Sequence, residues 1–294
     1  MTARKPRHRQ VPRSMQVRIG AFDLRKTGVA RFDLRDPYHL AVTLSWPAFI
    51  LTFITVLVVI NSIFAFLYAL RPGAVQNLAT GDFLRGFFFS LETLATVGYG
   101  ELAPASTYGH AVAAVEIVLG MSSTAIFTGL LFVRFSKPHA RILFPDKAVV
   151  TPHNGTSTLM VRIANGRLTM LTHAAARFTM IVLEITGEGN AFRRVIDLHL
   201  VRDDLPIFPL TWTLMHVIDE ASPLFGLTAD DLAKREARFF IAVDARDAAL
   251  GGQVQDLGAL THEQVIFNKR YSEAVSVDEN GRTIADLSRL SLIE

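Results

Sequence analysis

Two long apolar stretches constrain the fold of this chain more than any other feature. Residues 48–70 are 23 consecutive positions without a charge, and residues 111–133 form a second stretch whose one charged side chain is Glu116. A membrane-spanning helix needs about 20 predominantly apolar residues, so each stretch is long enough to cross a bilayer. The first lies too far inside the chain to be a cleavable signal peptide. The sequence therefore predicts two membrane spans, over 48–70 and 108–134.

Basic residues flank both predicted spans. Residues 1–35 carry ten Lys or Arg against two acidic residues, and Arg134, Lys137 and Arg141 follow the second span. Segments rich in Lys and Arg stay on the cytoplasmic side of a membrane, so we expect both termini inside and the segment between the spans outside. The three basic residues after the second span either bind anionic lipid head groups or only set this topology. Nucleic-acid binding is not expected, although the net charge is +3, because the basic residues adjoin membrane spans.

The segment between the spans contains a filter-like pentapeptide. Residues 81–95 are apolar but too short to span, and they lead directly into Thr96, Val97, Gly98, Tyr99 and Gly100. A potassium filter replaces the water shell of the ion with rings of backbone carbonyl oxygens. Gly98 and Gly100 can adopt the positive φ angles that such a backbone needs. A short helix over 81–95 would direct its C-terminal dipole, which favours cations, towards the pore.

The sequence therefore predicts that residues 48–137 form one pore-forming unit. In this unit the pore helix at 81–95 and the filter at 96–100 lie between the two spans. Non-helical backbone at membrane depth is tolerated only where it lines a cavity or is buried in protein, which fits this arrangement. One chain supplies only a quarter of each carbonyl ring, so the filter implies a homotetramer that binds K⁺ ions.

The remaining segments predict a tail, an interfacial helix and a β-rich domain. Residues 1–35 are expected to be a basic, poorly ordered tail. Residues 36–47 fit a short interfacial helix with Trp46 at head-group level, although a plain extension of the first span is an alternative. In residues 138–294, short runs rich in β-branched and aromatic residues are separated by turn signals such as Asn280-Gly281, which is typical of a β-sandwich.

No enzyme motif is found. The chain has no cysteine, which excludes disulfides, thiolate metal sites and cysteine nucleophiles. It also lacks a G-x-G-x-x-G fingerprint, a Walker loop, G-x-S-x-G and H-E-x-x-H, and its nine histidines are scattered. We therefore expect neither catalysis nor any cofactor other than K⁺ ions in the filter.

Three stretches resemble the inward-rectifier potassium channel family, specifically its bacterial branch, often called KirBac. They are Ser45-Trp46-Pro47, residues 87–104 (FFFSLETLATVGYGELAP) and residues 209–226 (PLTWTLMHVIDEASPLFG). The resemblance implies an α+β membrane protein in which a two-span tetrameric pore is joined to an immunoglobulin-like cytoplasmic β-sandwich. It further implies passive K⁺ conduction across a bacterial inner membrane, gated at the cytoplasmic helix bundle. Anionic membrane lipids and the cytoplasmic domain would modulate the gate, and Mg²⁺, Ba²⁺ or polyamines would be possible pore blockers.

Two carboxylates are candidates for filter support. The resemblance implies that Glu92 braces the filter through hydrogen bonds. Many relatives pair this acid with an Arg shortly after the filter, but that position is Leu102 here, so no ion pair is expected. Glu116 lies about 12 Å into the second span, and we expect it to share a polar pocket with Glu92, where it could be protonated. A water-facing vestibule acid is the alternative for Glu116.

A stripe on the second span is predicted to line the pore. Gly120, Thr124, Thr128 and Phe132 recur every four residues, which keeps them near one face of a helix. Thr124 and Thr128 would face the inner cavity, and the resemblance puts the gate at Phe132, whose alternative role is packing against lipid or another helix. Gly120 and Gly129 are candidate hinges. Strong rectifiers carry an acid at the position of Thr124, so we expect weak polyamine and Mg²⁺ block.

Two other functions compete with a channel. A membrane-anchored sensor or scaffold with a silent pore would not need an intact filter or a polar-lined second span. An active potassium transporter subunit is disfavoured because the chain has a single pore unit with an undegenerate filter. The sequence therefore favours a potassium channel.

Overall fold

The N-terminal segment contains a hairpin. The structure, a computed structural model, describes residues 14–19, 22–27, 35–137 and 141–294. Strands β1 (Ser14–Ile19) and β2 (Phe22–Thr27) pair antiparallel. Their register places Val17 opposite Leu24 and Ile19 opposite Phe22, and β-branched and aromatic residues such as these favour strands. The prediction of a poorly ordered tail is therefore wrong for these two strands.

Two long helices dominate the membrane unit. The elements are α1 (Pro37–Thr43), α2 (Trp46–Ala69), β3 (Val75–Gln76), α3 (Phe83–Leu94), β4 (Ala103–Pro104) and α4 (Thr107–Ser136). Helices α2 and α4 have 24 and 30 residues and are apolar enough to cross a membrane, with lengths of about 36 and 45 Å. A break at Leu44 and Ser45 separates α1 from α2. Asp36 caps α1 by accepting a hydrogen bond from the His39 backbone N–H at 2.9 Å.

The short helix α3 packs between the two long helices. A buried cluster of Phe64, Tyr68 and Phe89 joins α2 to α3. The chain on either side of α3 is tied together where β3 pairs with β4. Gly109, in the first turn of α4, lies directly against the Ala74 carbonyl, and a Cβ there would overlap that oxygen. Close backbone packing therefore fixes the start of α4 beside the loop that follows α2.

The second unit is a β-sandwich. Its elements are β5 (Ile142–Leu143), β6 (Ala148–His153), β7 (Thr156–Asn165), β8 (Leu171–Ile185), β9 (Ala191–Leu198), β10 (Asp204–Phe208), β11 (Thr211–Val217), α5 (Ala229–Lys234), β12 (Arg238–Asp247), β13 (Gln253–Thr261), β14 (Val265–Phe267), β15 (Val275–Val277) and β16 (Thr283–Ala285). One sheet has the order β10-β8-β12-β13, and β9 also pairs with β8. The other has the order β11-β7-β6-β14, and β5 pairs with β7. The pairing is antiparallel throughout these two sheets except between β14 and β6. The short strands β15 and β16 form a separate hairpin.

The core of the sandwich lies between the two sheets. Every second residue of β12 from Phe239 to Ala245 is buried, as expected for a strand with one face on a core. Val161 and Leu214 of one sheet and Phe178 and Phe239 of the other belong to the same buried cluster. The predicted β-sandwich is confirmed, and by its contacts the chain divides into this unit, which includes the N-terminal hairpin, and the membrane unit of residues 32–137.

A buried arginine holds the C-terminal segment to the sandwich. Arg162 of β7 donates to the carbonyls of Ser272, Arg289 and Leu290 at 2.7, 2.8 and 3.1 Å. Its guanidinium also lies 4.6 Å from the centre of the Tyr271 ring. Burial lowers the pKa of the Arg162 guanidinium from its ordinary value, and the three carbonyl oxygens supply acceptors that compensate for the loss of water.

His216, in the stretch that resembles the channel family, is a buried strand residue. Its Nδ1 lies 2.8 Å from the His199 carbonyl oxygen, and its Nε2 lies 2.8 Å from Ser222 Oγ. With a carbonyl at Nδ1, that nitrogen is the donor, and Nε2 accepts from the serine hydroxyl. Burial lowers the pKa of His216. His216 is therefore a strand residue whose two ring nitrogens are both hydrogen-bonded.

Candidate ion pathway

The backbone of the predicted filter alternates in handedness. φ is +56° at Thr96, +58° at Gly98 and +87° at Gly100, whereas Val97 and Tyr99 between them have negative φ. Alternation of this kind turns successive carbonyls towards the same side of the chain, whereas a regular strand points them to opposite sides. Glycine adopts positive φ at little cost, but for a β-branched residue such as Thr96 it is unusual. Strained conformations of this kind cluster at functional sites.

Helix α3 ends directly at this segment and holds its first residues. The Thr96 N–H donates to the Thr93 carbonyl at 3.0 Å, and the Val97 N–H donates to the Glu92 carbonyl at 2.8 Å. The C-terminal end of α3, where the helix dipole is negative, therefore adjoins the start of the alternating segment. In the single chain, the Val97 and Tyr99 side chains are 51% and 78% exposed.

Glu116 is buried, but it does not share a pocket with Glu92. Its Oε2 accepts a 2.6 Å hydrogen bond from the Tyr68 hydroxyl, and its Oε1 contacts the Ser90 hydroxyl. Ser90 and Glu92 are two residues apart on α3, hence about 200° apart around the helix. A side chain that packs against Ser90 therefore cannot also meet Glu92, and the predicted shared pocket is wrong. The alternative of a water-facing acid is wrong too, because Glu116 is fully buried.

Three residues that contact Glu116 or its partners were not identified from the sequence as candidate site residues. Asn61 and Tyr68 on α2 and Ser90 on α3 are buried with it, and Ser90 Oγ lies 2.9 Å from Asn61 Oδ1. Polar side chains in a membrane interior usually hydrogen-bond across helices. That rule could have singled out Asn61, the one amide in an uncharged span.

Gly120 packs against α3 instead of standing free. A Cβ at this position would overlap the carbonyl group of Leu94, the last residue of α3. Each step of four residues turns the predicted pore stripe by about 40°, so its ends face directions about 120° apart. Thr124, Thr128 and Phe132 are exposed in the single chain. A Cβ added at Gly129 would meet no other atom within 4 Å, so the room a hinge needs is found there and not at Gly120.

Arg134 is buried at the C-terminal end of α4. It donates to the Ala41 and Leu44 carbonyls at 2.6 and 2.7 Å, where α1 ends. Its guanidinium also lies 4.6 and 4.5 Å from the ring centres of Trp46 and Phe49. These carbonyls have no partner within their own helix, so the arginine completes the end of α1. The assignment of Arg134 to lipid head groups is therefore wrong, whereas Lys137 and Arg141 are exposed.

An apolar cavity of about 400 Å³ lies beside these contacts, within the membrane unit. It is lined by α1, α2 and α4, including Leu40, Phe53 and Ile126. Phe53 and Phe127 stack across its wall with ring centres 3.6 Å apart. The side chains that surround it carry no charge, so it suits an apolar occupant.

Comparison with known proteins matches both units. Residues 49–137 match the ion channel family, and residues 142–294 match the C-terminal domain of inward rectifier potassium channels. The chain is 34% identical over 256 residues to inward rectifier potassium channel Kirbac3.1 of Paramagnetospirillum magnetotacticum, with 87% of each chain covered. It is 26% identical over its whole length to human ATP-sensitive inward rectifier potassium channel 15, of which 83% is covered.

These matches cover the pore unit and the sandwich in the same order along the chain. Both halves point to an ion channel, and neither points to an enzyme. The chain therefore belongs to the inward rectifier potassium channel family, and it is a membrane protein with potassium channel function of the inward-rectifier type.

Proposed function

We propose that K⁺ ions cross the membrane through a filter formed by the backbone carbonyls of Thr96–Gly100 from four copies of the chain. The observation that carries this proposal is the alternation of φ at residues 96, 98 and 100. Carbonyl rings at successive levels can replace the water shell of a potassium ion. No chemical step takes place, and the ions move down their gradient.

The geometry of one chain supports a homotetramer. A single alternating segment offers carbonyls from one side only, and a ring needs several such segments around an axis. Val97 and Tyr99 are apolar or aromatic and largely exposed in the single chain, which leaves them free to pack against neighbouring copies. Exposed apolar side chains that adjoin a functional segment are typical of subunit interfaces.

The second half of α4 is proposed to form the cavity and the gate. Thr124 and Thr128 would line the cavity, and Phe132 lies about 37 Å from the start of α4. The Phe132 side chain is 72% exposed, so four copies could meet on the pore axis and close it by excluding water. Gly129, one turn away, would provide the bend that opens the pore. Thr124 offers hydroxyl dipoles and no charge, so block by Mg²⁺ or polyamines would be weak.

The orientation proposed is that of a bacterial inner-membrane protein with both termini, and hence the β-sandwich, in the cytoplasm. Ten basic residues before residue 36 support this orientation, because basic flanks stay inside. Lys137 and Arg141 follow α4 and are exposed. They are proposed to bind anionic lipid head groups, each contributing about 1 kcal/mol. Glu92 is half-buried beside the filter and is proposed to brace it in the tetramer.

Ion uptake into liposomes tests the proposal. Liposomes that contain the protein should accumulate rubidium much faster than sodium, and Ba²⁺ should block the uptake. Gly98→Ala should abolish most of it, because a Cβ at positive φ costs about 1–2 kcal/mol per chain. Gly187→Ala is the matched control, since Gly187 also has open space around it but no positive φ. Equal sodium and rubidium uptake by the native tetramer would contradict the filter assignment.

A further inference from the structure

Four polar side chains from three helices form a continuous hydrogen-bonded chain beside the filter. Asn61 and Tyr68 belong to α2, Ser90 to α3 and Glu116 to α4, and none is more than 1% exposed. Tyr68 Oη contacts Glu116 Oε2 at 2.6 Å, and Glu116 Oε1 contacts Ser90 Oγ. Ser90 Oγ in turn lies 2.9 Å from Asn61 Oδ1, and Asn61 Nδ2 donates to the Leu57 carbonyl at 2.7 Å.

The number of hydrogens in this chain determines the protonation state of Glu116. The Asn61 amide cannot be reversed, because its oxygen would then face the Leu57 carbonyl oxygen at 2.7 Å. Asn61 Oδ1 therefore faces Ser90 and can only accept. A serine hydroxyl carries one hydrogen, and the contact with Asn61 uses it. The contact between Ser90 and Glu116 then has a hydrogen only if the glutamate brings one.

No described positive charge compensates a carboxylate at this site. Helix α2 carries no ionised residue. Among the basic side chains nearest along the chain, Arg85 of α3 is paired with Glu101 at 2.6 Å. Arg71, just after α2, lies over the Tyr108 ring at 4.8 Å. Burial of an unpaired charge in an apolar medium is far more costly than burial of a neutral acid.

We propose that Glu116 is a neutral carboxylic acid that donates to Ser90, and that it is a positioning residue for the filter. In this arrangement every group has a partner: Tyr68 donates to Glu116, Glu116 to Ser90, Ser90 to Asn61, and Asn61 to the Leu57 carbonyl. The positioning role rests on the proposed function, since it requires that residues 96–100 form the filter. The protonation state does not depend on it.

Ser90 transmits this arrangement to the filter through one helical turn. It lies four residues before Leu94, the last residue of α3, whose carbonyl packs against Gly120. Glu116 and Gly120 are themselves one turn apart on α4, so α4 holds α3 at two successive points. The Val97 N–H is bonded to the Glu92 carbonyl. A shift of α3 would therefore displace the start of the alternating segment.

Infrared spectroscopy of the full-length tetramer in liposomes tests the protonation state directly. With carboxyl-labelled glutamate, the native protein should show the C=O stretch of a protonated acid at neutral pH. Glu116→Gln should remove that band. Glu92→Gln is the control and should leave it unchanged, because Glu92 is only half-buried and lies on the other side of α3. A missing band, or a band that persists in Glu116→Gln, would overturn the proposal.

Substitution tests the positioning role. A glutamine amide can donate to Ser90 and accept from Tyr68, so Glu116→Gln should keep rubidium-over-sodium selectivity within about twofold. Glu116→Ala leaves the buried Tyr68 hydroxyl without an acceptor and removes the donor to Ser90, so it should lower selectivity by about tenfold or more. If the alanine variant does not assemble, Tyr68→Phe removes a single donor and should give a smaller loss.

These experiments distinguish a failure of the positioning role of Glu116 from a failure of the filter assignment. A glutamine variant as impaired as the alanine variant, or an alanine variant as selective as the native protein, would overturn the positioning role. If the filter assignment were wrong, the native protein itself would not select rubidium, and the infrared band of Glu116 would remain.

Discussion

The two ends of α4 bury an ionisable side chain in different ways. Glu116 and Arg134 lie on the same helix about 27 Å apart. The partners of Glu116 are side-chain hydroxyl groups of α2 and α3. The partners of Arg134 are backbone carbonyls at the end of α1 and two aromatic rings. Glu116 has a partner on both oxygens, whereas Arg134 Nε is buried without one among the described residues.

The difference follows from where backbone groups are free. Inside a membrane helix every backbone N–H already donates to a carbonyl of the helix, so a buried carboxyl group there must find its partners on other side chains. At a helix end the last carbonyls are unpaired, and a guanidinium with five donors can reach several of them. The N-terminal half of α4 is thus fixed to two long-range partners, whereas its C-terminal end is attached to a helix of only seven residues. We infer that the contact at Glu116 is rigid. The contact between Arg134 and the end of α1 is more easily displaced, and we call it the joint.

The largest effect is expected at Gly120, where the backbone of α4 contacts the backbone of α3. Gly120→Ala should prevent tetramer assembly or abolish rubidium flux, because its Cβ would overlap the Leu94 carbonyl and overpacking costs about 1–3 kcal/mol per chain. Gly129→Ala is the control on the same helix and should assemble normally. Size-exclusion chromatography followed by flux measurements decides the result. Normal assembly and flux in Gly120→Ala would show that this half of α4 is not rigidly packed.

Between the two ends, Thr124 tests which face of α4 lines the cavity. Thr124→Asp would place four carboxylates around a narrow pore. Cytoplasmic spermine should then block steeply with voltage, since each charge that crosses the field contributes about 2.3 kcal/mol per 100 mV. The native protein should be blocked only weakly. Planar-bilayer currents measure both, and unchanged block in the variant would mean that residue 124 faces away from the pore.

Loss of Arg134 should loosen the joint and leave the proposed filter unaffected. Arg134→Met leaves the Ala41 and Leu44 carbonyls unpaired, and hydrogen bonds from a charged donor contribute about 1.5–3 kcal/mol each. Amide hydrogen exchange should accelerate in residues 37–45, while rubidium-over-sodium selectivity stays unchanged. Lys137→Met, at an exposed position, is the control. A loss of selectivity in Arg134→Met would contradict the separation between the two ends.

The smallest effect is expected from the exposed basic residues beyond the joint. Lys137→Gln and Arg141→Gln should each weaken the response to anionic lipid by about 1 kcal/mol. Flux measured against the fraction of anionic lipid in the liposomes would show this as a shift to higher lipid content. Native lipid dependence in the double variant would show that these residues serve topology alone.

The features that local sequence determines were predictable. Span length and the scarcity of charged residues determine α2 and α4, and the positive φ of Gly98 and Gly100 is consistent with the freedom of glycine. The contacts of Glu116 and Arg134 were not predictable, because they arise where separate helices meet. The predicted pocket shared by Glu116 and Glu92 rested only on their similar depth in the membrane. Depth does not determine which side of a helix a side chain lies on. Arg134 was judged by its charge, which did not reveal the unpaired carbonyls at the end of α1.

The hairpin at β1 and β2 was missed for a related reason. The dense basic charge of residues 1–35 suggested a solvated segment, and it obscured the strand-favouring residues Val17, Ile19 and Phe22, which the register of the two strands brings into cross-strand pairs. At Thr96, by contrast, the local conformational preference of the residue is misleading. A β-branched residue at positive φ runs against local preference, so only the surrounding structure could reveal it.

The contacts of Arg162 with the C-terminal segment also have a consequence for the order in which the sandwich can form during synthesis. The carbonyl partners of Arg162 lie 110 to 128 residues further along the chain. A ribosome adds about 5–20 residues per second, so roughly 6–26 s pass between the synthesis of Arg162 and that of its partners. Helices α2 and α4 have been synthesised before this interval begins. The nascent chain therefore passes this interval with both long helices made and the sandwich unfinished, and unpaired strands in such a state are prone to aggregation.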